Sequence, residues 1–261
     1  MSVDDECGTK NLASLNRLSR TPLTRDFWIA ACSIAWLRRA VNDRFRQLAR
    51  DRGDDKNLLN DVQGVVGELA SIAKAQSADD VSEVVHDLVS LEGPVDDVDL
   101  KAKTSGGELR LESKCLIWQP RKKLFVINDI AHKRSHRRGA TGYLPVLTSE
   151  GSSIAIVGPV FPLDELNNWY RYPFQYGDPA LGLPLVEFCD RYLATPWRVI
   201  REQLESSERA VPDIATLAAL VAPAADRIED VVRKGLLGDG TGSARDIVKL
   251  LASTVGPDRD D

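Results

Sequence analysis

Asp99, Glu112 and Lys114 are the residues of this chain whose types and spacing suit chemistry. They sit in Val98-Asp99-Leu100-Lys101-Ala102 and Leu109-Arg110-Leu111-Glu112-Ser113-Lys114. These stretches read as two strands joined by a turn at Thr104-Ser105-Gly106-Gly107. Alternate side chains of a strand share a face, so Glu112 and Lys114 point one way, with Leu111 and Cys115 on the other. Paired as a hairpin, the strands carry Asp99 round toward Glu112. Two carboxylates and an amine then share one small volume, which is costly unless a metal or an anionic ligand organises it. The alternative is a surface Glu112–Lys114 pair on an edge strand, worth less than about 1 kcal/mol.

Elements on both sides must position these groups. Residues 57–75 read as a helix, with Leu58, Leu59, Val62, Val65, Val66, Leu69 and Ile72 at three- and four-residue steps. Gly64 and Gly67 lie on it, each costing about 1 kcal/mol relative to alanine, which points to close approach of a neighbour. Glu68 follows directly. Before it, Thr24 caps a long helix over 25–50. After it, Asp79-Asp80 caps a third helix expected over 81–91. Downstream the pattern predicts a helix over 125–138, strands at 143–147 and 154–157, and a helix from Pro162 to Trp169. An ordered aromatic loop over 170–184 and C-terminal helices over 185–204, 214–237 and 244–253 follow. The segments divide as 1–56, helical; 57–170, the mixed core; and 171–261, the aromatic loop and helical extension.

The stretch around the hairpin resembles the PD-(D/E)XK, or restriction endonuclease-like, nuclease superfamily. That pattern is an aspartate at a strand start, a turn, and a strand with Glu-x-Lys, with a glutamate on the preceding helix in many members. Asp99, Glu112, Lys114 and Glu68 (in Gly67-Glu68-Leu69-Ala70) match it, and the resemblance covers about residues 64–160. It implies an α/β fold: a mixed sheet flanked by helices in α-β-β-β-α-β order, with the third strand displaced or short. The N-terminal and C-terminal helices lie outside it. It further implies metal-dependent hydrolysis of nucleic acid phosphodiesters, endo or exo, in the service of restriction, phage defence or repair. Asp99 and Glu112, with the Ser113 backbone carbonyl, would hold Mg2+ (or Mn2+), with Glu68 accessory and Lys114 assisting the attacking water. The run Asp96-Asp97-Val98-Asp99 offers rivals. Asp97 shares the strand face of Asp99 and is its substitute, whereas Asp96 points oppositely.

The segment 110–138 carries nine Lys and Arg residues against two acids in a protein of net charge −5. A positive segment beside such a site suits a phosphate backbone, more readily that of double-stranded DNA. Lys122, Lys123, His132, Lys133, Arg134, Arg137 and Arg138 are the expected contacts. The bland alternative is a solvated helix face, or a module that binds nucleic acid or protein without cutting. His132 and His136 have a chelating spacing, but no nearby Cys, Asp or Glu completes a site. The Trp169–Tyr176 aromatics suit packing better than base stacking.

Composition excludes little else. Hydrophobic content of 43% and charged content of 28% describe an ordinary globular chain. Cys7, Cys32, Cys115 and Cys189 form no CxxC pair and read as reduced thiols. The polar, acidic N-terminus is unlike a secretory signal, and the longest apolar run is too short for a bilayer. A cytoplasmic protein, with a homodimer conceivable for cutting two strands, is the expectation. The glycine-rich stretch 238–242 lacks the lysine of a phosphate-binding loop.

Overall fold

In a computed structural model, the structure describes residues 14–44, 54–89, 97–173, 179–235 and 242–255. Its centre is a seven-stranded mixed sheet in the order β1-β7-β6-β4-β3-β2, with β8 pairing β6. The strands are β1 (Ser19–Pro22), β2 (Val81–Val85), β3 (Leu100–Thr104), β4 (Gly107–Trp118), β6 (Gly142–Ser149), β7 (Ile154–Val157) and β8 (Phe161–Pro162). Helices α1 (Arg25–Arg44) and α2 (Asp54–Gln76) precede β2 and pack on one face. A second, three-stranded sheet has the order β5-β10-β9, formed by β5 (Leu124–Asn128), β9 (Tyr170–Pro173) and β10 (Pro179–Pro184). Helix α3 (Asp129–Arg137) links β5 to β6. The rest is helical: α4 (Leu185–Phe188), α5 (Trp197–Ser206), α6 (Ile214–Val221), α7 (Ala225–Arg233) and α8 (Ala244–Val255).

β3 and β4 form the expected hairpin. Thr104 pairs with Gly107 around a two-residue turn, and Gly107 adopts φ 121°, which an L side chain rarely does. β4 is antiparallel to β3 and parallel to β6. A parallel neighbour requires a crossover, supplied by β5 and α3.

Two apolar cores lie on the two faces of this sheet. One joins α1 and α2 to Leu111, Ile117, Leu144 and Val146, and takes in α6, α7 and α8. The other gathers Trp118, Tyr143, Leu147 and Ile156 with β5, β10, α4 and α5. The long first helix is anchored by its tryptophans: Trp28 Nε1 donates to the Ser152 carbonyl and Trp36 Nε1 to that of Ala218. Buried indole N–H groups need such acceptors.

Four expectations are corrected. The predicted third helix begins as strand β2, because Val81, Val84 and Val85 pair along the edge of β3. β-branched residues fit a pleated edge better than a helix turn. The predicted helix 125–138 splits. Leu124–Asn128 is a strand against β10, and the helix starts only where Asn128 Oδ1 accepts from the N–H groups of Ile130 and Ala131. The aromatic loop contains strands β9 and β10, which pair with each other, and β10 also pairs with the distant β5. Residues 163–168 form a 3₁₀ helix rather than an α-helix. The ends of the first helix beyond 44, Asp96, Cys7, Phe174, Tyr176 and residues 238–241 lie outside the described residues.

Candidate active site at the end of the hairpin

Alternation along β4 sorts its side chains onto two faces. Ser113 faces α2, where its Oγ accepts from Ser71 Oγ at 2.9 Å. A Cβ on Gly67 would lie 2.7 Å from Cys115 Cβ and 2.9 Å from Ser113 Oγ. Glycine at 67 therefore lets α2 reach β4, and brings Glu68 beside the sheet. Nothing lies within 4 Å of a Cβ at Gly64, so only one of the two helical glycines serves close approach.

Glu112 and Lys114 project from the other face, toward α3. Lys114 Nζ donates to Glu112 Oε2 at 2.9 Å and lies 5.6 Å from the centroid of the Tyr143 ring. Glu112 is only 4% exposed, and its Oε1 has no hydrogen-bond partner. Arg138, at the end of α3, approaches that oxygen at 3.7 Å. Arg110 ties this end of α3 to the hairpin, donating to the Arg138 carbonyl at 2.9 Å and to Asp97 at 2.6 Å.

The structure separates the two rival aspartates. Asp97 is held by Lys101 and Arg110. Burial works to raise its pKa, but the Lys101 hydrogen bond, the Val98 N–H and these two charges keep it below the ordinary aspartate value. Asp99 instead accepts from the Ser113 N–H at 2.7 Å. In a strand the N–H and C=O of one residue point to the same side, so the Ser113 carbonyl also faces the end of β3. Asp99 is pushed up to about 7, first by burial and then by the charges of Glu68 and Glu112, against the pull of Lys114 and the Ser113 N–H. Burial works against a charge on Lys114, yet Asp99 and Glu112 outweigh it and hold the amine above the ordinary lysine value.

Glu68 is buried, and both its oxygens are engaged by the Arg38 guanidinium, with Arg38 NH1 to Oε1 at 2.8 Å. Arg38 Nε also donates to the Leu88 carbonyl at 2.7 Å. Sequence reading missed Arg38, which stands on a helix outside the resemblance. Its only signal was an arginine next to an otherwise apolar stripe. Tyr143, opposite Glu112 in the β4–β6 register, was also read merely as a strand residue.

The basic residues are dispersed. Lys133, Arg134 and Arg137 lie exposed on α3, with Lys133 paired to Asp129 at 2.7 Å. His132 is buried, and its Nδ1 lies 3.0 Å from the Tyr143 hydroxyl. Lys122 donates to the Ile117 carbonyl at 2.6 Å, while Lys123 is exposed. Both stand at the far end of β4, beside Trp118. His86 is buried after β2 rather than on a helix, 3.2 Å from the Gly242 carbonyl. Trp169 packs against Phe125, Phe161 and Phe188, whereas Tyr170 is exposed. Cys32 and Cys189 are buried free thiols, Cys115 is a half-buried one, and burial raises all three to about 12.

Among the described residues no three His, Cys, Asp or Glu side chains converge as a ready metal cage, and no helix is long and apolar enough to cross a membrane. Asp99, Glu112 and the Ser113 carbonyl nevertheless offer hard oxygen donors. Glu112 Oε1 is a buried oxygen with no hydrogen bond, though the Arg138 guanidinium stands 3.7 Å away. Mg2+ keeps several waters and is commonly held by one or two carboxylates, so this set fits it. Compared with known proteins, the chain matches no family model, no curated protein and no solved structure.

Proposed function

We propose that the protein is a Mg2+-dependent phosphodiesterase acting on nucleic acid, more readily DNA, on a restriction endonuclease-like core. The observation that carries this reading is Glu112: a carboxylate buried on the site face of β4 with one oxygen unpartnered, next to Lys114 and facing Asp99 across the hairpin end. An unsatisfied buried polar atom costs about 1–3 kcal/mol and more when charged, so its retention calls for a ligand. The order α2-β2-β3-β4-β5-α3-β6, with β5 in the second sheet, supports the fold reading. On this reading β2, ahead of the hairpin, supplies a third strand beside β3 and β4.

Mg2+ bound by Asp99, Glu112 and the Ser113 carbonyl would lower the pKa of a bound water and polarise a phosphoryl oxygen. The chain's own residues do the rest. Lys114, kept protonated by its two acidic neighbours, orients the attacking water and offsets charge developing on the phosphoryl oxygens. Arg138, 3.7 Å from Glu112 Oε1, adds positive charge on the same side. Glu68 is accessory: fixed by Arg38, it sets the charge around Asp99 and works to raise that carboxyl's pKa.

A second reading has its own observation. Glu68 with Arg38, Glu112 with Lys114, and Asp97 with Lys101 and Arg110 are already matched in charge. A non-catalytic nucleic-acid-binding module would need no more. The test is incubation of the purified protein with linear, circular and single-stranded DNA and with RNA, in Mg2+ or EDTA, beside Lys114→Ala and Glu112→Gln. Mg2+-dependent cleavage lost in both variants is the expected result. Cleavage undiminished in Lys114→Ala removes this mechanism, and binding without cleavage by any preparation selects the second reading.

A further inference from the structure

A pocket lies behind the candidate site, between α3, the 3₁₀ segment Leu163–Asn168 and the edge strand β9. Leu166 and Leu181 contribute apolar lining, and His132, Lys133, His136, Asn167 and Arg171 bring nitrogen donors to it. His132 is nine-tenths buried yet lines this space, its ring edge-on to that of His136 at 4.6 Å between centroids. Asp129 also lines it, but its carboxylate is engaged by Lys133. Arg171 is exposed on β9, and its charge reaches Asp129 more weakly than that of Lys133 does. Asp164, 4.0 Å from His136, is 85% exposed, where solvent and salt screen its field.

The pocket and the site share one wall. Lys114 Nζ stands 5.6 Å from the Tyr143 ring, and the hydroxyl of that ring meets His132 Nδ1 at 3.0 Å. The pocket therefore lies across the Tyr143 ring from Lys114. Exposed Lys133, Arg134 and Arg137 line the outer side of the intervening helix.

We propose that this pocket is a second phosphate-contact site, which takes a backbone phosphodiester of the nucleic acid other than the one held at Lys114. Arg171 is the principal charge, with His136 and the Asn167 amide as hydrogen-bond donors. The inference rests on the nucleic-acid reading above, but not on cleavage. It assigns a role to Arg171 and Asn167, which belong to no part of the hairpin motif.

The test uses the full chain and a fluorescent 20-base-pair duplex in EDTA, titrated between 50 and 200 mM salt. Each lost phosphate contact lowers the slope of log affinity against log salt by about 0.9 on duplex DNA. Arg171→Gln is expected to weaken binding three- to tenfold at low salt and to lower the slope by about that amount. Asp164→Asn is expected to tighten binding. Arg227→Gln, an exposed change on α7 across the sheet, is expected to leave the slope alone, and thermal melts confirm that each variant folds. An Arg171→Gln slope equal to wild type overturns the inference even if Mg2+-dependent cleavage is intact. A lowered slope in a protein that never cleaves supports the inference and overturns the nuclease reading. No binding to DNA or RNA overturns both.

Discussion

The two faces of β4 treat polar groups in opposite ways. On the α2 face every polar contact closes. Ser71 donates to Ser113, Gln63 Nε2 donates to the Cys115 carbonyl at 2.6 Å, and Lys74 Nζ reaches the carbonyls of Arg17 and Gly158 at 2.8 and 2.5 Å. On the α3 face Glu112 is just as deeply buried but keeps an oxygen without a partner. Closed polar networks hold layers together, whereas an open one in a buried site is a place for a ligand. Under the proposed function, the first face serves packing and the second serves chemistry.

That assignment can be broken by substitution. The largest effect belongs to the open face. Glu112→Gln should lower Mg2+-dependent cleavage by at least about 100-fold, the scale on which a transition-state electrostatic contact acts, with duplex binding in EDTA retained. Comparable loss of binding would make Glu112 structural instead. On the closed face Gly67→Ala should cost about 1–3 kcal/mol by urea unfolding, because the new methyl meets Cys115 and Ser113. Gly64→Ala, exposed with open space around it, should stabilise by about 0.5–1 kcal/mol. Equal effects at the two glycines would contradict the close approach of α2.

Lys74 sharpens the comparison through pH. Burial lowers it from 10.5 to about 7, so between those values the unfolded chain binds a proton that the folded chain does not. Stability from this group therefore falls as pH drops from 10.5 toward about 7 and is constant below that. Lys74→Met should show its greatest stability advantage below pH 7, shrinking toward pH 10.5 in paired urea midpoints. A pH-independent difference would mean that the amine stays charged in the fold. The smallest effect is expected at Asp97→Asn. Its ion pairs with Lys101 and Arg110 are part-exposed and worth about 0–1 kcal/mol. Cleavage should stay within about twofold of wild type, and a loss matching Asp99→Asn would restore Asp97 as a ligand.

Much of the site was legible in the chain. Period-two alternation placed Glu112 and Lys114 on one face, and a two-residue glycine turn closed the hairpin. The three- and four-residue apolar steps put Glu68 on a helix. Those signals are local, and local sterics impose them. The misread elements, β2, β5, β9 and β10, are short segments, and β5 and β10 find each other only from far along the chain. Val81-Ser82-Glu83-Val84-Val85 satisfies a helical spacing as well as a strand one, and only the edge of β3 decides between them.

The sequence alone determined the hairpin, its carboxylate–lysine face and the helix that carries Glu68, because each follows from backbone periodicity within a few residues. Tertiary structure alone decided that Asp99 rather than Asp97 turns toward Ser113. It also decided that Arg38, from a helix 30 residues before Glu68, clamps that carboxylate, and that Glu112 Oε1 is buried without a partner. These are meetings of side chains from separate elements, fixed by how α1, α2 and α3 pack on the sheet, and no local pattern encodes them.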